Sequence, residues 1–365
     1  MNNSIFKPYL LNAATYKGGK TKSEIKPGAD LIKLSSNENL LGSSPKAIEA
    51  IKASLSSLNE YPEGNAARLV SAIAEYSHGQ LTEEQIVCAN SGSECIEMVI
   101  RAFMDDGLEC IVSTPTFMPY LIFSKKMGVD VVDVPLLPDS YDIDIDGIIA
   151  AITDHTRIIF VTNPNNPTGT YIPDSQIKEL LDRVPDHVVV VIDEVYYQFV
   201  SKSDYSTAHK WVNAGYNVIG INSLSKAYGL AGLRIGYLYS TPKLTEYINK
   251  LSRPFYLSSL AINAGIAAIS DTEFIDQTVK SVASGREYLK KEFDRLGLHQ
   301  TQSETNFILV KPEMEPIDFE SRLLEHDIMV RPVGNFGAIG CVRITVGKEE
   351  HNIALIKALE QILYS

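Results

Sequence analysis

Four short segments carry side chains that could do chemistry together. Ser223-Leu224-Ser225-Lys226, followed by Gly229 to Gly236 with Arg234 between them, sets a lysine beside two hydroxyls and a second cation. Removal from water and a nearby positive charge would lower that amine's pKa and free it to form an imine. A lone lysine is otherwise a solvated surface charge. Asp193-Glu194-Val195-Tyr196 directly follows the apolar run 188–192. A carboxylate at the end of a buried strand needs a cation, and a protonated heterocycle would serve; the plainer reading is a helix N-cap. Asn163-Pro164-Asn165-Asn166-Pro167-Thr168-Gly169 leaves two amides in a proline-stiffened turn, either as ligand contacts or as an Asx/Pro turn. Ser91-Gly92-Ser93-Glu94 could open a helix whose free N–H groups cradle a phosphate, or could be an ordinary N-cap.

The elements that must position these segments are legible as alternating short apolar runs and helical periods. Strands are predicted at 86–90, 109–114, 129–134, 157–162, 188–192, 217–222 and 235–239, with helices at 93–104, 117–126, 174–183 and 242–251 between them. The Val/Ile runs scarcely alternate, as in strands buried on both faces. The fold class is therefore α/β, with a mostly parallel, doubly wound sheet flanked by helices. In such sheets ligands gather at the carboxyl ends of strands, and all four segments fall just past expected strand ends. After Ser258 the pattern changes to one long helix at 259–297, a strand at 306–311, a helix at 317–326, strands at 328–331 and 341–346, and a closing helix at 348–362. This predicts a polar N-terminal arm (1–34), a large domain (35–257) and a smaller α+β domain (258–365), with the arm packing beside the latter.

Composition narrows the function classes. The 365 residues carry a net charge of −12, which argues against binding nucleic acid, although a few pocket arginines could still hold a small anion. No run approaches a membrane span, and Met1 to Leu10 lacks the apolar stretch of a signal peptide, so a cytoplasmic location is expected. Cys88, Cys95, Cys110 and Cys341 have neither CxxC nor zinc spacing, so no metal is expected.

Taken together, the Asn163–Gly169 turn, the Asp193–Tyr196 segment and the stretch from Ser223 to Tyr237 resemble the fold-type I, class I/II aminotransferases, over essentially the whole chain. Within them the chain resembles the histidinol-phosphate aminotransferases most closely. Tyr16-Lys17-Gly18-Gly19-Lys20 is similar to that family's YxPGK arm, Ser35-Ser36-Asn37-Glu38-Asn39 to its SNEN segment, Tyr61-Pro62 to its YP pair, and Val342 to Gly347 to its RITVG block. Leu40 stands where the family usually has proline, and Ser93 where it usually has aspartate.

The resemblance implies pyridoxal 5′-phosphate as cofactor, bound as a Schiff base by Lys226. Asp193 would keep the pyridine nitrogen protonated, while Asn166 and Tyr196 would hydrogen-bond the ring oxygen. Phe117 would stack on the ring, and Gly92, Ser93, Ser223, Ser225 and Arg234 would hold the phosphate. It further implies a homodimer in which Tyr61 reaches the neighbour's cofactor phosphate. For the substrate it implies Asn37, Arg331 and Arg343, with Tyr16 contacting it from the arm; a second arginine suits a dianion better than a monoanion. The expected reaction is amino transfer between L-histidinol phosphate and 2-oxoglutarate in histidine biosynthesis. The alternatives are an aromatic or other amino-acid aminotransferase, a threonine-phosphate-decarboxylase-like enzyme, and an amine-sensing regulatory domain.

Overall fold

The computed structural model describes residues 5–11, 13, 15, 18–25 and 30–364. Strand β1 (Ile32–Lys33) precedes a seven-stranded sheet of β2 (Ile86–Ala89), β3 (Glu109–Val112), β4 (Asp130–Asp133), β5 (Thr156–Thr162), β6 (Val189–Asp193), β7 (Val218–Ser223) and β8 (Gly236–Tyr239). Its spatial order is β2-β8-β7-β6-β5-β3-β4. The neighbours from β7 to β4 pair in parallel, and β8 runs antiparallel to both β2 and β7. Strands β5 to β7 are buried almost throughout, which accounts for their unbroken apolar runs.

Two apolar cores sandwich this sheet. One gathers Ile159, Val161, Val190, Ile192, Trp211 and Leu224 with the helices Pro45–Ser54, Ala67–Tyr76 and Ser259–Ile269. The other gathers Ile158, Phe160, Val191, Ile219 and Ile221 with the helix Gly92–Phe103 and Tyr120. A third core lies around a smaller antiparallel sheet of β9 (His299–Gln300), β10 (Phe307–Lys311), β12 (Arg331–Pro332) and β13 (Val342–Thr345), in the order β12-β13-β10-β9. It is covered by the helices Thr272–Arg295, Pro316–Glu325 and Glu349–Tyr364. Leu34 is buried in this third core, and β1 pairs in parallel with β11 (Ile328–Met329), so the chain after the arm is tied to the carboxyl-terminal part.

Two expected elements divide. The long helix at 259–297 is broken at Ser270-Asp271 into Ser259–Ile269 and Thr272–Arg295. Asp271 leaves helical geometry, and its carboxylate accepts a 2.6 Å hydrogen bond from Ser44, the N-cap of the helix Pro45–Ser54. The first half accordingly stays in the core of the large sheet. The strand at 328–331 splits into β11 and β12, which pair in different sheets. This split sets Arg331 opposite Arg343 of β13.

Candidate active site

The carboxyl ends of β5, β6 and β7 open onto one cavity of about 310 Å³. Asp193 ends β6 and is the register partner of Thr162 at the end of β5, so both side chains leave the sheet side by side. Ser223 ends β7, and the chain turns there through Ser225 and Lys226 into the same space. Ser223 pairs with Gly236 at the start of β8, which also pairs with Ala89 of β2. Gly236 has to be glycine, because a Cβ there would lie 2.2 Å from the carbonyl carbon of Ser91. That close approach brings Ser91-Gly92-Ser93 and the start of the helix Gly92–Phe103 against the end of β7. Ser91 caps the helix by accepting from the Glu94 N–H, and Gly92 and Ser93 face the cavity. Ser225 N–H donates to the Ser223 hydroxyl oxygen (3.1 Å), and Arg234 lines the same rim. Ser91, Arg234 and Asn37 all adopt positive φ (105°, 55° and 56°), conformations unfavourable for side-chain-bearing residues that cluster at functional sites.

Of the residues expected at the site, Gly92, Ser93, Phe117, Asn166, Asp193, Tyr196, Ser223, Ser225, Lys226, Arg234, Asn37, Arg331 and Arg343 all line this cavity. Tyr16 lies outside the described residues. Tyr61 does not line it: the side chain is 84% exposed, with its ring 5.0 Å from that of Phe255. Gly19, Ser36 and Glu38, from the two segments that resemble the family's arm and SNEN motifs, also line the cavity, as do Thr162 and Phe336, which nothing in their sequence context marks. Tyr120, one turn beyond Phe117, was likewise unmarked. Its ring reads as part of an apolar stripe, and only the folded register of β5 and β6 brings its hydroxyl to Asp193.

Lys226 is half-buried. Its Nζ donates to the Ser36 carbonyl (3.2 Å) and lies 5.8 Å from the centre of the Tyr196 ring. Burial, reinforced by the Arg343 guanidinium and more weakly by Arg234 and Lys33, lowers its pKa to about 7 against the pull of Glu38. Asp193 is deeply buried, and burial raises its pKa to about 6. Opposing that are a 2.6 Å hydrogen bond from the Tyr120 hydroxyl to Oδ2, a 3.3 Å bond from the Val195 N–H to Oδ1, and the charge of Lys226. Among the described residues, no Lys or Arg lies within ion-pair distance of Asp193.

The rest of the cavity wall is cationic and amide-rich. Arg343 is buried, donates to Asn166 Oδ1 (2.6 Å) and to the Ser35 carbonyl (3.0 Å), and has the rings of Phe307 and Phe336 at 5.4 and 5.7 Å. Arg331 stands directly across the β12–β13 ladder from it. Two like charges opposite one another are destabilising by themselves, so this pair fits a shared anion. Asn37 donates from Nδ2 to the Tyr196 hydroxyl (3.0 Å), and its carbonyl accepts from Asn306 (3.1 Å). An amine that is half neutral near pH 7, a buried carboxylate without a cation and a rim of N–H groups, hydroxyls and arginine can hold a phosphorylated, carbonyl-bearing heterocycle. The paired arginines leave room to recognise an anionic second ligand.

The sequence profile described as "Aminotransferase class I and II" matches residues 29–359. The chain is 38% identical over 364 residues to histidinol-phosphate aminotransferase 2 of Ralstonia nicotianae, covering 97% of this chain and 96% of that protein. Among solved structures it resembles the histidinol-phosphate aminotransferase of Clostridium acetobutylicum, with a TM-score of 0.84, 26% identity, and 92% and 99% of the two chains covered. It shares its fold with the histidinol-phosphate aminotransferase of Sinorhizobium meliloti solved in complex with pyridoxal-5′-phosphate, with a TM-score of 0.89, 23% identity, and 99% and 98% covered.

Proposed function

The chain belongs to the class I and II aminotransferases, and from that premise we propose that it transfers an amino group between L-histidinol phosphate and 2-oxoglutarate with pyridoxal 5′-phosphate held at Lys226. Its fold is the fold type I expected from the resemblance. The observation that carries the cofactor reading is the convergence of Lys226, its pKa drawn down to about 7, and cation-free Asp193 on one cavity rimmed by the Gly92 helix start. A buried carboxylate aimed into a cavity, with no lysine or arginine among the described residues in ion-pair range, suits a protonated pyridine nitrogen, and an open helix N-terminus beside Ser223, Ser225 and Arg234 suits its phosphate.

When bound, pyridoxal phosphate supplies an electron-withdrawing ring that stabilises negative charge on the substrate carbon bearing nitrogen. The remaining work falls to this chain. Lys226 Nζ, neutral for part of the population near pH 7, acts as nucleophile and then moves the proton to and from that carbon. Asp193 would keep the ring nitrogen protonated, Asn166 and Tyr196 would hold the ring oxygen, and Phe117 would cover the ring. Asn37 borders the substrate space, and Tyr16 is assigned the substrate contact that the family resemblance implies. Arg343 and Arg331 grip the anionic end of the substrate. Their cross-strand pairing favours a phosphate dianion over a single carboxylate, and is the feature that favours histidinol phosphate over an aromatic amino acid.

The organisation that serves this is an arm (1–34), a large cofactor-holding domain (35–257) and a small domain (258–365) whose first helix stays docked on the large one. No helix among the described residues is long and apolar enough to cross a membrane. We place the protein in the cytoplasm, acting in histidine biosynthesis as a homodimer in which exposed Tyr61 completes the neighbour's site. The test is a spectral titration. Holoprotein should absorb as an imine-bound cofactor, borohydride should fix the label on Lys226, and histidinol phosphate should bleach the band. Turnover of free aromatic amino acids with none of histidinol phosphate would reject the substrate, and a label elsewhere than Lys226 would reject the cofactor site.

A further inference from the structure

We propose that Tyr120 is a positioning residue for Asp193: its hydroxyl, oriented by Thr162, keeps the carboxylate ionised and aimed, and so sets how firmly the cofactor's ring nitrogen holds its proton. This rests on the pyridoxal phosphate reading above and assigns a role to a residue outside the expected site.

The geometry commits the tyrosine's single proton. Thr162 Oγ1 donates to the Tyr120 oxygen at 3.1 Å, leaving the tyrosine O–H to donate to Asp193 Oδ2 at 2.6 Å. Thr162 in turn lies 3.2 Å from the Thr116 hydroxyl, so three buried hydroxyls run in a row to the carboxylate. The tyrosine ring cannot swing away. It stacks on Phe160 at 4.8 Å with a 15° tilt and meets the edge of Phe117 at 5.7 Å. With Val195 N–H on Oδ1, each carboxylate oxygen has one fixed donor, and each keeps acceptor capacity for a ring N–H.

Charge-assisted hydrogen bonds stabilise the ionised form of a buried acid. Take one away and the carboxylate becomes more basic. The proton shared with the ring nitrogen then shifts toward the acid, leaving a neutral carboxyl beside a neutral pyridine, which is a poorer electron sink. A merely structural tyrosine would contribute only its ring, and that is what Tyr120→Phe retains. Thr162→Val removes the orienting donor while preserving shape.

The experiment is ¹⁵N NMR of holoprotein carrying cofactor labelled at the ring nitrogen, followed against pH, with the cofactor dissociation constant measured alongside. In Tyr120→Phe the ¹⁵N resonance should move toward the neutral-pyridine position. The pH at which the pair loses its shared proton should rise by about one unit, because the more basic carboxylate holds it, and cofactor binding should weaken about tenfold, the scale of one hydrogen bond to a charged group. Thr162→Val should move both in the same direction by less. Wild-type titration and affinity in both variants would overturn the proposal. If Tyr120→Phe does not fold, Thr162→Val decides alone, and an unchanged ¹⁵N titration there overturns it. A wild-type protein that binds no cofactor at Lys226 would overturn the underlying reading as well, whereas a protonated nitrogen in wild type and variants alike sinks only the role of Tyr120.

Discussion

Arg331→Gln should weaken recognition of a phosphorylated substrate without destabilising the fold, which separates a binding arginine from a structural one. Arg331 is half-buried, donates a 3.4 Å hydrogen bond to the Gly18 carbonyl, and is the register partner of Arg343 across the ladder, so the two like charges disfavour one another. Relief of such a cross-strand repulsion is worth about 0.2–1 kcal/mol. Loss of one charge-assisted hydrogen bond to a phosphate removes about 1.5–3 kcal/mol of binding, or roughly ten- to 150-fold in kcat/KM. Arg343→Gln behaves differently. It strips a donor from Asn166 Oδ1 and another from the Ser35 carbonyl, both inside the protein. Each buried acceptor left unsatisfied costs about 1–3 kcal/mol, so this variant loses stability as well as affinity. The assay is steady-state kinetics with histidinol phosphate and thermal unfolding of both holoproteins. For Arg331→Gln the loss should fall mainly on KM, with Tm unchanged or up by about a degree or two. A KM within twofold of wild type, or a fall in Tm matching that of Arg343→Gln, would refute the shared-anion argument.

Two further outcomes follow from groups near the site. Glu194 is buried, accepts from the Ala208 N–H (2.8 Å) and the Tyr239 hydroxyl, and its pKa is raised by burial to about 7 from 4.5. Because the folded state binds this proton more tightly than the unfolded chain, its contribution is full below the unfolded pKa and is lost as pH rises through 7. Glu194→Gln should therefore flatten the stability–pH curve between pH 4.5 and 7 by on the order of 3 kcal/mol, as followed by urea unfolding, and parallel curves would contradict it. Tyr61→Ala removes an exposed ring that makes no contribution to its own chain's cavity. It should nonetheless raise the cofactor dissociation constant about tenfold in a protein that sediments as a dimer, and a monomeric wild type with normal cofactor binding would remove Tyr61 from the site.

The identity of the chemistry was legible from one dimension because cofactor chemistry concentrates unusual residues where strands end. Lys226, Asp193 and Asn166 each follow an apolar run too hydrophobic to be a surface strand, and three polar residues at three such ends are hard to explain by packing. Periodicity likewise located all seven strands of the large sheet, six as runs buried almost throughout and the edge strand β4, whose Asp130 and Asp133 are exposed, as a short Val-rich run. Three things waited for the tertiary structure. The break at Ser270-Asp271 depends on a hydrogen bond from Ser44, more than two hundred residues away, and no local propensity announces it. The opposition of Arg331 and Arg343 depends on a two-residue strand changing sheets. The path from Thr162 through Tyr120 to Asp193 depends on the register of β5 against β6. Side-chain type and local pattern reveal what a residue can do and which face it prefers, whereas which groups meet is set by long-range pairing that leaves no mark at either position.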